Sequence, residues 1–65
     1  MPNIMKIARV KQDKTMQQMA KKVGVHVSAI NEYEGNRRVP SFITGMWLAK
    51  CYNLKPQDLL NHFKK

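Results

Sequence analysis

Several residue types are scarce in this chain of 65 residues, and each shortage excludes a class of protein. A single cysteine forms no disulfide framework, and three glycines with three prolines exclude a collagen-like or low-complexity chain. No apolar run approaches the roughly 20 residues that span a bilayer. Residues 1–7 also lack the basic start and apolar stretch of a secretion signal. We therefore expect a reducing, cytoplasmic location and no membrane association.

Acidic residues are the scarcest charged type. Four Asp and Glu stand against twelve Lys and Arg, which gives a net charge of +8 and a pI near 10.1. Such an excess of positive charge favours binding to an anionic partner. The charge alone does not distinguish nucleic acid from an acidic membrane or an acidic protein. The length allows one small domain over residues 1–65, and 43% hydrophobic residues argue against disorder.

Turn signals divide the chain into five segments, and each has helical rather than alternating periodicity. The first spans about residues 3–13 and places Ile4, Ile7, Ala8 and Lys11 on one face. The second begins after Thr15, a good N-cap, and ends at Gly24. The third covers about residues 27–34. The sequence therefore predicts an all-α fold.

The last two segments begin at proline signals. The fourth follows Pro40-Ser41, and the fifth starts at Pro56, a residue well suited to a first helical position. The apolar residues of the fourth segment are Phe42, Met46, Leu48, Ala49 and Tyr52. Together with the first three, these segments predict a compact bundle of five short helices.

Segments two and three are joined by the short turn Val23-Gly24-Val25-His26. Two short helices joined by a three- or four-residue turn with glycine form the helix-turn-helix arrangement. Ala20 falls where the two helices would cross, and Val25 and Ile30 would fill the gap beneath. An ordinary helical corner in a small bundle is the alternative interpretation of this spacing.

The run TMQQMAKKVGVHVSAINEYEGNRRVPSF resembles the Cro/CI-type (XRE) helix-turn-helix family, the DNA-binding module of phage repressors and many bacterial regulators. The positions that match the usual pattern of that family are Thr15, Met19 (for Leu), Ala20, Gly24, Val25, Ile30, Glu34, Arg38, Pro40 and Ser41. The match continues in register at Leu48, Ala49, Lys50, Leu54, Asp58, Leu59 and Leu60. The resemblance implies a lambda-repressor-like domain with its helix-turn-helix at about residues 15–35.

In this motif the second helix lies in the major groove, and its first residues meet base edges. The resemblance thus implies base-contacting positions at His26, Val27, Ser28, Asn31 and Glu32. This face has no Arg or Lys, the usual partners of guanine, and Asn31 suits adenine, so we expect a preference for A·T-containing steps. The expected phosphate-contacting residues are Thr15, Gln17, Gln18, Asn36, Arg37, Arg38 and Thr44. The expected partner is double-stranded DNA.

The resemblance also implies one long-range ion pair. In several members of the family, an arginine in the first helix pairs with the glutamate that ends the recognition helix, and these positions are Arg9 and Glu34 here. Such a pair would keep a partly buried glutamate ionised and tie helix 1 to the end of helix 3. Exposure of Arg9 to solvent or phosphate is the alternative.

Three positions depart from the family pattern. Met16 replaces a glutamine that commonly bonds a phosphate, and His26 replaces a serine that caps the recognition helix. Asn36 stands where a glycine is usual, with Gly35 one place early, an exchange that the left-handed backbone conformation tolerates. We expect these changes to affect which DNA is read more than whether the fold forms.

The fourth helix has Gly45 at a position where the family has a core leucine, and Ile43 and Trp47 where polar residues are usual. Either Trp47 turns into the space left by Gly45, or Ile43 and Trp47 form an exposed contact surface. Leu60 and Phe63 offer a second candidate patch. Because one such unit reads few base pairs, we expect a homodimer, with the choice between the two patches open.

Catalysis has little support in the sequence. Cys51 lies in an apolar stripe, and neither His26 nor His62 has metal-ligand spacing with it. There is no phosphate-cradling glycine loop and no paired-carboxylate set. We expect no enzyme activity, no metal, no cofactor and no small-molecule ligand.

These observations favour a sequence-specific transcriptional regulator, most simply a small Cro-like repressor that binds a palindromic operator as a dimer. The first alternative is a protein-interaction module, such as an antitoxin or adaptor, that uses the Ile43/Trp47 surface. The second is nonspecific binding to RNA or acidic lipid.

Overall fold

Five helices joined by short turns make up the part of the chain that the structure, a computed structural model, describes, which is residues 3–63. They are α1 (Ile4–Lys11), α2 (Met16–Val23), α3 (Val27–Glu34), α4 (Phe42–Cys51) and α5 (Pro56–Phe63). No strand occurs in this range. The predicted all-α fold of five short helices is confirmed.

A side chain caps the beginning of each of the first four helices. Asn3, Thr15, His26 and Ser41 each have extended backbone angles and accept a hydrogen bond from a backbone N–H in the first turn. Each bond satisfies one of the donors that a helix start leaves free, which contributes about 1 kcal/mol per helix. The caps therefore define where these short helices begin.

The core lies where the five helices meet. Each helix contributes at least one large side chain with no exposed surface, and these are Met5, Met19, Ile30, Leu48 and Leu59. Ala20 and Ala49 are also buried and allow close approach between helices. The remaining buried apolar residues are Ala8, Val23, Tyr33, Cys51 and Tyr52.

The buried face of α1 differs from the predicted one. Met5 and Ala8 point into the core, whereas Ile7 is 42% exposed and Lys11 is also exposed. Of the predicted face, Ala8 is buried and Ile4 packs against the core as expected, whereas the prediction was wrong for Ile7 and Lys11 and lacked Met5. The packing of α1 against α3 and α5 decides which of its side chains are buried.

The apolar residues of the fourth segment are buried to different extents. Phe42 and Met46 are 64% and 45% exposed, while Leu48, Ala49 and Tyr52 are buried. Trp47 does not fill the space beside Gly45. A methyl group added at Gly45 would meet Leu60 Cδ2 at 3.7 Å, so Leu60 occupies that space.

None of these five helices, within residues 3–63, has both the length and the apolar character needed to cross a membrane.

Candidate nucleic-acid interface

The turn between α2 and α3 has the geometry of a tight helical corner. Gly24 has a φ of 92°, a left-handed conformation that favours glycine. The backbone N–H groups of Gly24 and Val25 both donate to the carbonyl oxygen of Ala20, at 2.8 and 3.0 Å. These bonds close the end of α2 and fix the direction in which α3 departs.

The beginning of α2 is stabilised by a reciprocal capping box. Thr15 Oγ1 accepts a hydrogen bond from the N–H of Gln18 at 3.1 Å, and Gln18 Oε1 accepts one from the N–H of Thr15 at 2.8 Å. The Thr15 hydroxyl proton and the Gln18 amide N–H groups are left for an external acceptor. Gln17 is exposed beside them. All three predicted phosphate contacts on α2 thus lie at a helix N-terminus, where the helix dipole favours an anion.

His26 caps α3 in place of the usual serine. Its Nδ1 accepts a hydrogen bond from the N–H of Ser28 at 3.1 Å and lies 2.9 Å from Ser28 Oγ. Because Nδ1 acts as an acceptor, the ring proton is assigned to Nε2. The exposed histidine therefore offers an N–H donor, and it also holds the Ser28 hydroxyl in place.

The outward face of α3 carries the predicted base-contacting residues with unequal exposure. Ser28 and Asn31 are exposed, as is His26 at the cap. Val27 is partly buried because it packs against the core, and Glu32 is also only partly exposed. Asn31 is thus the fully exposed amide on the helix, and it matches the donor and acceptor of adenine.

Glu32 and Arg38 lie near each other at the end of this face. Arg38 Nη1 is 3.7 Å from Glu32 Oε1, and the Arg38 guanidinium stands 5.5 Å from the centre of the Tyr33 ring. Both charged side chains remain about half exposed, so the pair contributes little to stability. It does reduce the repulsion that Glu32 would otherwise exert on phosphate.

The loop after α3 carries the strongest cationic candidates. Arg37 and Arg38 are both exposed. A methyl group added at Gly35 would lie 3.1 Å from the carbonyl oxygen of Asn31, a tight contact that would require a shift of a few tenths of an ångström. The left-handed conformation falls on Asn36, with a φ of 60°. The exchange of glycine and asparagine seen in the sequence is therefore accommodated.

Asn36 also holds the loop against α1 and α5. Its Oδ1 accepts a hydrogen bond from Asn3 Nδ2 at 2.7 Å and lies 3.0 Å from His62 Nε2. Asn3 Nδ2 also donates to the carbonyl oxygen of Tyr33 at 2.9 Å. These bonds engage the Asn36 oxygen, and its amide N–H groups, the part of the side chain that can donate to a phosphate, remain for the predicted contact.

Thr44, the last predicted phosphate contact, lies in the first turn of α4. Its backbone N–H donates to Ser41 Oγ at 3.2 Å, and Ser41 Oγ donates to Thr44 Oγ1 at 2.9 Å. The Thr44 hydroxyl proton is left to donate elsewhere.

Arg9 and Glu34 meet in the structure. Arg9 Nε donates to Glu34 Oε2 at 2.9 Å and to Oε1 at 3.1 Å, and the Glu34 side chain is only 1% exposed. Arg9 Nη1 also donates to the carbonyl oxygen of Lys14 at 2.7 Å. The arginine therefore links α1, the α1–α2 turn and the end of the recognition helix.

Tyr52 completes this buried network. Its hydroxyl donates to Glu34 Oε2 at 2.8 Å. Burial raises the pKa of the Tyr52 phenol well above its usual value, and the hydrogen bond to Glu34 raises it further. The phenol thus stays protonated and remains a donor. Burial likewise raises the pKa of the Cys51 thiol, which is 4% exposed and packs in the core.

Within residues 3–63 no three His, Cys, Asp or Glu side chains come together in a way that could hold a metal ion.

Sequence reasoning missed the residues that position the recognition helix from a distance. Asn3 is 2% exposed and was not singled out, although asparagine before a helix is a recognisable cap signal. The bonds of His62 to Asn36 and of Tyr52 to Glu34 join residues 26 and 18 apart along the chain. No local pattern carries a signal for such contacts.

Comparison with known proteins agrees with this geometry. Residues 5–59 match the family described as "Helix-turn-helix". No curated protein and no solved structure gives a significant match. The matched range covers α2, the turn and α3 with nearly all the flanking bundle. The chain therefore belongs to the XRE-type (Cro/CI) helix-turn-helix family, and it contains a DNA-binding domain of the transcription-regulator type.

Proposed function

We propose that this protein is a sequence-specific transcriptional repressor of the Cro-like kind, which binds a palindromic operator as a homodimer. The observation that carries the proposal is the outward face of α3, where His26, Ser28 and Asn31 are exposed beyond a closed helical corner. Arg37 and Arg38 follow directly and supply the charge for phosphate. Affinity comes from the loop and the helix N-termini, and selectivity comes from α3.

The dimer contact is assigned to one face of α4. We call this the α4 apolar face; its members are Phe42, Ile43, Met46 and Trp47, with 64%, 80%, 45% and 47% of their surface exposed, together with Val39 of the preceding loop, which is 62% exposed. Leu60 and Phe63, the other candidate patch, are partly buried, because Leu60 packs beside Gly45 and Phe63 against the core. An exposed row of large apolar side chains marks a contact surface. This contrast favours Ile43 and Trp47.

A selection experiment with random double-stranded DNA tests the proposal. We expect a palindromic site with half-site centres about 34–36 Å apart and A·T-containing steps in each half. A strictly guanine-rich core would contradict the expected preference. Binding that ignores sequence would indicate nonspecific anion binding.

The second candidate function is a protein-interaction module. It is favoured by the α4 apolar face, in which Ile43 alone is 80% exposed. An antitoxin or adaptor would use this face for a different protein and bind DNA weakly or not at all. Absence of DNA binding at low salt would support this alternative.

Removal of the loop arginines is expected to weaken binding to all sequences alike. In the double variant R37A/R38A two phosphate contacts are lost, so the slope of log K against log salt should become less steep by about 1.8, since each contact contributes about 0.9. The measurement is a salt titration of operator binding and of binding to an unrelated duplex. Lys50→Ala, an exposed lysine at the end of α4, is the control. An unchanged slope would exclude these arginines as phosphate contacts.

Substitution of Asn31 is expected to change selectivity instead. Asn31→Ala should relax the preference at one base pair of each half-site and weaken operator binding by about 1–3 kcal/mol per lost bidentate contact. Binding to an unrelated duplex should change little. The measurement is a repeated selection with the variant. If the selected site is the same as for the wild type, α3 docks in a register different from the one proposed.

A further inference from the structure

The outward face of α1 has an apolar stripe that the DNA-binding function does not use. Ile7 is 42% exposed and Val10 is 57% exposed. The helix already buries its opposite face through Met5 and Ala8, so these two side chains are not needed for the core. The side chains of Ile7 and Val10 therefore form an exposed apolar surface that is available to contact another molecule.

Residues of this stripe line two depressions. One has a volume of about 410 Å³ and is lined by apolar atoms of Ile4, Ile7 and Leu54 among others. The other, of about 320 Å³, is lined by Lys6, Ile7, Val10 and Lys11. Because Ile7 and Lys11 line both, the depressions adjoin. We call the combined surface the α1 groove.

The floor of the α1 groove is held in place by Gln12. Its Nε2 donates to the carbonyl oxygen of Tyr52 at 2.7 Å and to that of Ala8 at 3.2 Å. These bonds fix the end of α1 against the turn between α4 and α5, which forms the other wall. A groove with fixed walls loses little conformational entropy on binding.

The charges beside the stripe indicate the kind of occupant. At 3.6 residues per turn, Ile7 and Val10 fall between Lys6 and Lys11 around the helix, and the two lysines are about 7.5 Å apart along its axis. No acidic residue lines either depression. An apolar strip with a cation on each side complements an amphipathic helix with acidic residues beside its apolar row.

A second copy of this chain is a poor occupant. Of its four acidic residues, Glu34 is buried against Arg9, and Glu32 lies 3.7 Å from Arg38. The other two, Asp13 in the turn after α1 and Asp58 in α5, lie on different elements and form no acidic row along one helix. Two copies that met through this groove about a two-fold axis would also bring lysines together. DNA is a poor occupant as well, because Ile7 and Val10 offer no hydrogen bond to a phosphate.

We propose that the α1 groove binds an acidic amphipathic helix of a partner protein, at a site separate from the outward face of α3 and from the α4 apolar face. This gives the domain a protein contact in addition to DNA binding and self-association.

The test uses random 16-residue peptides displayed on phage and panned against the wild-type protein. We expect recovered peptides to carry acidic residues beside apolar residues spaced three or four apart. Synthetic versions should bind the double variant I7S/V10S at least tenfold more weakly, and likewise K6E/K11E. The matched control is Q57S/N61S, which changes two exposed residues of α5 outside the α1 groove, the outward face of α3 and the α4 apolar face, and should bind the peptides as the wild type does.

Two further measurements make the outcome decisive. DNA affinity of I7S/V10S should equal that of the wild type, so a failure of the groove proposal is distinguishable from a failure of the DNA-binding proposal. Circular dichroism melting checks that the variant folds. Three outcomes would overturn the proposal. They are recovered peptides that bind I7S/V10S as well as they bind the wild type, recovered peptides that lack acidic residues, and the recovery of no peptide at all. Binding to phosphatidylglycerol vesicles that depends on Ile7 and Val10, without peptide binding, would identify a lipid surface instead and would also overturn it.

Discussion

Replacing Arg9 with alanine is expected to destabilise the domain by about 3–5 kcal/mol, the usual cost of removing one partner from a buried ion pair. The reason lies in Glu34, whose side chain is 1% exposed. Without Arg9 its carboxylate would keep only the hydrogen bond from Tyr52 and would lose its compensating charge. A chain of 65 residues has a total stability of roughly 3–10 kcal/mol, so this loss is a large part of the whole.

The loss extends beyond the ion pair. Arg9 also bonds the carbonyl oxygen of Lys14 at 2.7 Å, so the variant leaves the turn before α2 less constrained. The C-terminal end of α3 and the loop after it would then keep only the hydrogen bonds from Asn3 to Tyr33 and Asn36 as polar links to the beginning of α1. We therefore expect loss of DNA binding to follow loss of folding in this variant, although Arg9 reads no base.

Urea and thermal unfolding followed by circular dichroism measure the effect. Lys11→Ala is the matched control, because Lys11 is an exposed cation on the same helix and its loss should change stability by no more than about 0.5 kcal/mol. If Arg9→Ala is unfolded at all temperatures, Arg9→Lys supplies a measurable intermediate, since lysine keeps the charge but not the planar fork of donors. Equal midpoints for Arg9→Ala and Lys11→Ala would refute this role of Arg9.

The second large effect is expected for Ile43→Asp on the α4 apolar face. A homodimer on a palindromic site gains affinity because the second half-site binds within one complex, and such linkage is worth about 100-fold to 10,000-fold. An aspartate at the contact would place two unpaired carboxylates close to the symmetry axis. We therefore expect a monomer and at least a 100-fold loss in operator affinity. Because Ile43 is 80% exposed, the monomer itself should melt as the wild type does.

Sedimentation velocity gives the oligomeric state, with and without operator DNA, and gel shift gives the affinity. Trp47, the one tryptophan of the chain, lies on the same face, and its Nε1 donates to the carbonyl oxygen of Val23 at 2.9 Å. Its emission should shift to the blue when wild-type protein binds operator and should not shift in the variant. Gln57→Asp, an exposed residue of α5 with the same change in charge, is the control. A dimer that persists in Ile43→Asp would place the contact elsewhere.

The helix-turn-helix itself could be predicted because its signals are local. Thr15 begins α2 and Gly24 ends it, and both act through bonds within a few residues. Ala20 and Ile30 are buried, as a close helix crossing requires, whereas Val25, expected to fill the gap beneath, is 37% exposed. Helical spacing also predicts where each base-contacting candidate lies on α3, but it does not predict whether that side chain is free to contact a base. Val27 packs inward, and the Ser28 hydroxyl is engaged by His26.

The helices with two apolar stripes were less predictable. In α1 the stripe with Ile7 and the stripe with Met5 have similar composition, and only the packing of α3 and α5 selects Met5 for the core. In α4, Phe42 and Met46 continue an apolar pattern but lie beyond the reach of the other helices. A pattern of hydrophobic residues predicts that a helix has an apolar face. It does not predict which of two apolar faces packs against the other helices.

The sequence by itself determined the five helices, the tight corner between α2 and α3, the family, and the excess of positive charge that suits DNA. Capping and helical periodicity depend on residues a few positions apart, and composition and charge are counted directly, so all of them can be recognised in the sequence. The tertiary structure alone decided that Asn3 and His62 hold Asn36, that Tyr52 shares Glu34 with Arg9, and that apolar side chains on α1 and α4 remain exposed. Those contacts join residues distant along the chain, and they exist only once the helices have packed.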